Sequence, residues 1–490
     1  MALSSLRTTI TERKIAMSKK NAIRDPLKSS FAEKLMYGVG DAGGAILLTF
    51  PSTYLTLYFT DSVGLAAAFA GTMMLVCRIF DGLSDVVMGV LIDKTHTKWG
   101  KARPWFVLSV IPLVLSFLAL FCMPAGLSAS GQKIYASVTY FLLTVVFYTI
   151  NNISYHAMLQ RFSLSSTDRS AVSAVRGILC VIFAATMSIL TPILIPRLGG
   201  ESNPGTWRTL VLIWGGFSAL CLLITAFGIK EKLSALTVSA EENGIENADS
   251  RRRANKDELR TALATLLRCP YFYLAGGLSL VSFTSGNMTG INYYYARDVL
   301  GDAELMSIMA IITMLPMIAV MPFVPALFNR FGKRKSIMYG LIVATVFSMM
   351  ILINPRNFIL NVVCVIIKSI GTIPLMTAIS TLAGDIADYN QMRTGIRSDG
   401  VTTSTYSVGV KLGTGLGSAI VAWALAIGHY DGSLAVQASS AINAMIITFA
   451  VVPAVIYFIG AILTYFWDIE KYQVEVQAFM AKQKAAAEAE

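Results

Sequence analysis

The sequence predicts an all-α membrane protein of twelve transmembrane helices, arranged as two six-helix, pseudo-symmetric bundles. Three observations predict it. Apolar runs of roughly 20 residues recur along the chain, the length a helix needs to cross about 30 Å of hydrocarbon. Basic residues gather on alternate loops. One long polar stretch, 229–269, divides the runs six and six. The composition agrees: 55% of the 490 residues are hydrophobic and 14% charged, against roughly 25% charged in a soluble domain. A spanning strand needs only about 10 alternating residues, so runs of this length favour helices.

Residues 1–30 form a polar, basic tail without the apolar core of a signal peptide, so the first span is expected to act as the insertion signal. The N-terminal bundle is expected over 31–228, with spans near 35–60, 66–92, 104–124, 134–159, 171–195 and 208–228. Within it, span one opens YGVGDAGG and carries Asp41, and span two carries Arg78, Asp81 and Asp85. Span four contains FYTINNISYHAML, with Thr149, Asn151, Asn152, Tyr155 and His156, and span five carries Arg176. A cytoplasmic loop, 229–269, follows. The C-terminal bundle is expected over 270–468, with spans near 270–295, 303–328, 335–354, 358–384, 401–428 and 441–467. Span seven ends INYYYARDVLG, span ten carries Lys368, and span eleven carries Lys411 in SVGVKLGTG. Residues 469–490 form the C-terminal tail.

The net charge of +11 could suggest nucleic acid, but its distribution argues against that partner. Among the 40 Lys and Arg, five fall on the sparse side (Lys133, Arg197, Arg208, Arg297, Arg356). Four fall within spans: Arg78, Arg176, Lys368 and Lys411. The others lie in the two tails and the even-to-odd loops, which is the positive-inside pattern and puts both termini in the cytoplasm. The six cysteines have neither a disulfide-framework nor a metal-ligand spacing. The sequon at Asn287 lies inside a span and reads as a chance match.

The two halves share one short repeat. TKWGKAR at 97–103 and NRFGKRK at 329–335 are offset by a constant 232 positions, each after the second span of its half. Two six-helix halves related as parallel repeats is the architecture of the major facilitator superfamily. In the first copy, GVLIDKTHTKWGKARPW, Asp93 and Arg103 are expected in a cytoplasmic ion-pair network that packs or gates the helices. The end of span ten, GDIADYNQMRTGIRSDG, places Asp385, Asp388, Arg393 and Arg397 on the same side, where ion pairs would form a gate.

The intramembrane charges carry the functional signal. In span two, about fourteen apolar residues supply roughly −7 kcal/mol of insertion free energy, and three charges oppose it by roughly +9 kcal/mol. These charges must therefore face protein or water. Arg78, Asp81 and Asp85 step by three and four, onto one helical face, with the carboxylates about 6 Å apart along the axis. Such a pair suits one small cation, Na⁺ or a shared proton; the alternative is an Arg78–Asp81 pair that holds helices together. Arg176 and Lys411, 235 positions apart, could donate to sugar hydroxyls or an anionic group, or each could pair with a membrane carboxylate. Lys368 could snorkel or pair. Tyr293 and Tyr294 read as interfacial anchors, with sugar stacking as the second reading.

Other function classes fare worse. GVGD at 38–41 matches the GxGD pattern of intramembrane aspartyl proteases, and PAL occurs at 325–327. That chemistry needs a second aspartate in an earlier neighbouring span, and none is expected ahead of Asp41. There is no Ser/His/Asp set and no nucleotide-binding loop, so a secondary transporter is expected, not an enzyme or an ATP-driven pump. A channel or receptor is disfavoured by the two-half organisation and the buried acid pair.

At EKLMYGVGDAGG, YLTLYFTDSVGL, GTMMLVCRIFDGLSDVVMGVLIDKTHTKWGKARPW and GDIADYNQMRTGIRSDGVTTSTYSVGVKLG, the chain resembles the glycoside–pentoside–hexuronide:cation symporters, over about 31–470. This group includes melibiose and glucuronide carriers. The resemblance implies a monomeric, cation-coupled importer of a sugar or glycoside in a bacterial cytoplasmic (inner) membrane, with no cofactor besides the coupling H⁺ or Na⁺. By position, Asp81 and Asp85 match the family's paired cation-site aspartates, and Thr149 matches a cation-site threonine. Arg176, Ser407 and Lys411 match sugar-pocket or coupling positions, and Asp41 and Tyr155 join them as substrate candidates. Three departures matter. Asn152 stands where the melibiose carrier has an aspartate shared by sugar and cation. His156 replaces a pocket tryptophan. The sugar-binding aspartate of span one aligns with Ala45, and this chain has Asp41 one turn earlier. The missing acid favours H⁺ over Na⁺. With Arg176, Lys411 and His156 facing fewer acids, an acidic substrate, a hexuronide or a sulfonated sugar, is expected over a neutral glycoside.

Overall fold

The computed structural model describes residues 29–95, 97–162, 166–231, 268–394, 399–434, 436–472, 475–476 and 478–479. Among them the chain forms twelve consecutive helical segments. Nine helices are long and apolar enough to cross a membrane by length and composition. The N-terminal six are α1 (Phe31–Leu57, extended by Tyr58–Val63), α2 (Ala67–Lys94), α3 (Arg103–Phe121), α4 (Ala129–Phe141, Leu142–Phe147 and Tyr148–Phe162), α5 (Ser166–Arg197) and α6 (Pro204–Gly228). The C-terminal six are α7 (Pro270–Gly286, then Ile291–Tyr294 and Tyr295–Val299), α8 (Leu305–Val320, Met321–Phe323 and Val324–Phe331), α9 (Lys333–Met350, Ile351–Ile353), α10 (Phe358–Thr394), α11 (Asp399–Ile427) and α12 (Ser439–Ile446, Ile447–Val451, Val452–Tyr465). Most of the expected central loop lies outside the described residues.

Two helices depart from the expected spans. α10 continues to Thr394 rather than ending near 384. Span seven is interrupted after Gly286. There Asn287 turns its amide back to the Phe283 carbonyl, at 2.8 Å, a local bond that competes with continued helix.

Small residues set the packing. Gly409, Gly413 and Gly417 repeat every four positions on α11, and a Cβ on them would lie 2.3 Å from Ser279 Cβ, 2.7 Å from Phe283 Cβ and 2.5 Å from the Thr284 oxygen of α7. On another face of α11, a Cβ on Gly415 would lie 2.9 Å from the Arg78 side chain of α2. Glycine at helical spacing lets membrane helices approach to backbone contact. α11 is thereby wedged between α7 of its own half and α2 of the other. α5 and α8 pack as the second inter-half pair, with Ser307 Oγ donating to the Ile189 carbonyl at 2.8 Å.

On the face of the bundle that carries the ends of α6 and α12, the basic repeat takes the same form twice. The backbone N–H groups of Lys101, Ala102 and Arg103 donate to the Glu231 carboxylate at 3.1, 2.8 and 2.7 Å. In the second half, the Arg334 N–H donates to Glu470 at 2.8 Å. Gly100 (φ 107°) and Gly332 (φ 81°) supply the left-handed turn in each copy. The carboxylate satisfies amide donors that a helix start leaves open. The Arg103 guanidinium donates to the Ala226 carbonyl of α6 at 3.1 and 3.2 Å. Arg103 thus anchors its loop to its own half, where an ion-pair partner was expected; the Asp93 side chain lies outside the described residues. Asp385 pairs with Lys333 of α9 at 2.6 Å, again within one half. Arg393 donates to Tyr389 of its own helix at 3.0 Å. Asp388 sits one turn beyond Asp385 on α10, and Arg397 lies outside the described residues.

The opposite face joins the two halves. The Arg297 guanidinium binds Asp61 of α1 at 2.7 Å, Glu201 at 2.6 Å and Asp298 at 2.9 Å, and donates to the Tyr430 hydroxyl. The Asp61 side chain is only 1% exposed. Tyr293 and Tyr294 are buried in the same seam, and the Tyr294 hydroxyl lies 3.1 Å from Thr60 Oγ1 of the other half. Both readings of these tyrosines, as interfacial anchors or sugar-stacking faces, therefore give way to a role in the seam. Below them Thr53 and Thr289 touch across the halves at 3.2 Å. Removing one member of a buried charge cluster leaves the others uncompensated, at a cost of several kcal/mol. Arg297→Gln should therefore open this seam. In protein lacking the native cysteines and carrying Thr289→Cys, a polar thiol reagent should label position 289 about tenfold faster with Arg297→Gln than with Arg297; equal rates would show that the cluster does not hold the seam shut.

Candidate functional site

Midway along α2, Arg78 and Asp81 are both about 95% buried, and helical steps of three and four put Asp85 on the same face. The Lys411 ammonium, from α11 in the other half, reaches this face. It forms its shortest contact with Asp85 Oδ2, lies 3.5 Å from Asp81 Oδ1, and donates to the Asp81 carbonyl at 2.8 Å. The wedge of glycines around Lys411 explains the reach: α11 lies close enough to α2 for a lysine to span the gap. Arg78 Nη1 lies 3.6 Å from the other Asp81 oxygen. The Thr149 hydroxyl donates to Asp81 Oδ1 at 2.8 Å and lies 3.0 Å from Ser84 Oγ. Two carboxylates and a carbonyl thus hold an ammonium group, with the Thr149 and Ser84 hydroxyls beside Asp81. Oxygen sets of this kind hold hard cations or exchange protons.

A second cluster lies on α1, α4 and α5. Arg176 Nε is 3.5 Å from Asp41 Oδ2, and the Cys180 thiol donates to the same oxygen at 3.1 Å. Arg176 Nη1 lies 3.2 Å from His156 Nδ1. Arginine can only donate, so Nδ1 is the acceptor and the ring holds its proton on Nε2. Arg176 Nε is buried against Asp41 without a hydrogen-bond partner, while the side chain as a whole is 27% exposed. Asn152 Nδ2 points to the Tyr148 hydroxyl at a long 3.5 Å, not to the carboxylate pair.

Of the two remaining candidates, one stands elsewhere. Tyr155 is 2% exposed and stacks on Tyr37 at 4.1 Å. The two tyrosines exchange hydroxyl-to-carbonyl hydrogen bonds at 3.0 and 2.6 Å. Tyr155 therefore packs α4 on α1 in this conformation and presents no hydroxyl to a substrate. Ser407 lies one helical turn before Lys411 on α11, and its side chain lies outside the described residues.

The charge surplus expected on Arg176, Lys411 and His156 is not there. Arg176 faces Asp41, Lys411 faces Asp85 and Asp81, and His156 accepts a hydrogen bond as a neutral ring. Lys368 remains, and it lines a cavity of about 320 Å³ enclosed mainly by α7, α8, α10 and α12, which none of the other candidate residues lines.

The inter-half cluster of Asp61, Arg297 and Tyr430 was not singled out from the sequence. A signal for it exists: YFTDSVG at 58–64 and YARDVLG at 295–301 share Tyr, Asp and Gly at a constant offset of 237. Gly64 and Gly301 both adopt left-handed backbone, φ 79° and 87°. Leu65 and Asp302 donate backbone bonds to Phe59 and Ala296 at 2.8 and 3.0 Å.

Comparison with known proteins agrees with this architecture. The sequence family described as MFS/sugar transport protein matches residues 36–471. The isoprimeverose transporter of Lactiplantibacillus pentosus is 25% identical over 460 residues, covering 93% of this chain and 92% of its own. The glucuronide carrier protein homolog of Escherichia coli (strain K12) is 26% identical over 436 residues, covering 88% and 91%. Among solved structures, the nucleoside transporter NupG superposes with a TM-score of 0.59 at 13% identity, covering 90% of this chain and 100% of its own, a likeness of fold alone. The chain therefore belongs to the MFS/sugar transport protein family, within its glycoside–pentoside–hexuronide:cation symporters, and is a multi-pass secondary transporter of a sugar or glycoside rather than an enzyme.

Proposed function

We propose that the protein imports its sugar by alternating access, coupled to a cation that displaces Lys411 from Asp81 and Asp85. The observation that carries this reading is the Lys411 ammonium seated on the carboxylate pair across the boundary between halves. A second cation on that pair meets like-charge repulsion of several kcal/mol at contact distance, even at an effective dielectric constant near 20. The coupling ion and Lys411 therefore exclude each other. Lys411 belongs to α11 and the carboxylates to α2, so exchanging one for the other breaks an ion pair between the halves. A bound ion thereby biases the equilibrium between conformations by its differential affinity for them.

The freed ammonium becomes a hydrogen-bond donor beside the second cluster. Arg176, with Asp41, His156, Asn152 and Ser407, forms a polar set on the N-terminal half and α11 that suits some of the sugar's hydroxyls, and leaves the rest of the ring to the C-terminal half. Asn152 supplies no third acid to the pair, so a proton is the favoured ion, with Na⁺ the alternative. The family favours a bacterial inner membrane, the loop charges favour cytoplasmic termini, and the protein is read as a monomer that needs no cofactor.

The test is uptake of labelled sugar into proteoliposomes under an inward proton gradient, an inward Na⁺ gradient, or neither. Accumulation should follow the proton gradient. Asp81→Asn should reduce it to passive equilibration while the protein inserts at wild-type levels. Undiminished accumulation by Asp81→Asn would make the carboxylate pair a structural element only.

A further inference from the structure

Lys368 is the intramembrane charge that the coupling account leaves unused. Among the described residues the other three basic groups within spans each face a carboxylate: Arg78 faces Asp81, Arg176 faces Asp41, and Lys411 faces Asp85. Lys368 has no hydrogen bond or ion pair among the described residues. Its ammonium lies 5.0 Å from the centroid of the Phe449 ring, a cation–π contact weaker than a charge pair. It sits ten residues inside α10 from Phe358, about 15 Å along the axis. A lysine that deep cannot snorkel to the interface with its full charge hydrated.

The surroundings describe what it could receive. Among the described residues the cavity of about 320 Å³ has no carboxylate and no other basic side chain in its lining. Hydroxyls and amides do line it, including Ser282, Asn292, Thr313, Thr372 and Thr448. Phe449 and Tyr457 contribute aromatic surface. One cation among uncharged donors and acceptors, with aromatic walls, matches a small polyhydroxylated ring with one negative group. A cation without a counter-charge at this depth of a span is costly, and a ligand anion would compensate it while making charge-assisted hydrogen bonds.

We propose that Lys368 receives the anionic group of the carried sugar, a carboxylate or sulfonate, and so makes this an acidic-sugar carrier. The inference rests on the sugar-transport reading but not on which ion drives it. The partner is the substrate, since none of the described residues lining the cavity is an acid. The positive surplus that favours an acidic substrate thus lies on α10, not on α5 or α11.

Counterflow in proteoliposomes with equal pH and Na⁺ on both sides tests this apart from coupling. The probes are methyl β-D-glucoside, methyl β-D-glucuronide and the glucoside bearing a sulfonate at C6, which differ only at that carbon. Wild-type protein should exchange at least one of the anions about tenfold more efficiently than the glucoside. Lys368→Gln, checked for a monodisperse profile, should lower the anion-to-glucoside ratio at least about tenfold, and Lys368→Arg should keep it. A wild-type preference for the glucoside, or an anion preference that Lys368→Gln retains, would overturn the assignment and leave the coupling account standing. Gradient-driven accumulation that ignores Asp81→Asn, together with an intact Lys368-dependent anion preference, would do the reverse. Exchange of none of the three sugars would remove both.

Discussion

The structure turns on one ammonium group held by two carboxylates inside a membrane. Lys411 crosses from one half of the protein to Asp81 and Asp85 in the other. Each of these charges alone opposes insertion by about 3 kcal/mol. Together with Arg78 they form a compensated set whose members cannot be removed singly without exposing a partner. The contact is at once a condition for inserting α2 and a link between bundles. A link made of charges can be exchanged for a soluble ion, which apolar packing cannot.

The rest of the architecture serves that contact. α11 must lie against α2 closely enough for a lysine to reach, and the glycines at 409, 413, 415 and 417 remove the side chains that would hold it away. On one face, Arg297 gathers Asp61, Glu201 and Asp298 into a cluster that joins the halves. On the other face, Glu231 and Glu470 tie the basic loops within their own halves. One end of the bundle is thus closed by charges shared between halves, while the loop anchors at the other end leave each half intact as a body. Alternating access needs that combination: stiff halves and a seam built from exchangeable contacts.

Much of this was legible from the sequence, and the remainder has physical reasons for being hidden. Apolar runs fix spans because the bilayer sets their length, so the helices fell near the expected spans, apart from the longer α10 and the interrupted α7. Arg78, Asp81 and Asp85 announced a shared face because helical spacing is local. The partner of Asp81 and Asp85 was not local: Lys411 and Asp81 are 330 positions apart, and spacing cannot say which distant cation meets which acid. That is why Arg176 and Lys411 looked like surplus charge when both were paired, and why Lys368 looked minor. Tyr155 looked like a pocket residue because it lies among polar neighbours, yet its hydroxyl is engaged by the Tyr37 backbone. The break in α7 was missed because Gly286 and Asn287 sit inside an otherwise apolar run. The Asp61–Arg297 cluster was missed because its repeat lies at helix ends, outside the windows in which intramembrane charges stand out.

The central claim is that Lys411 and the coupling ion compete for one pair of carboxylates. Its most direct test is ion binding in the absence of sugar, by proton uptake or Na⁺ titration, for wild-type protein and Lys411→Gln. Loss of the internal competitor should tighten ion binding at least about tenfold, or about 1.4 kcal/mol. Ion binding that is unchanged or weaker in Lys411→Gln would contradict the account.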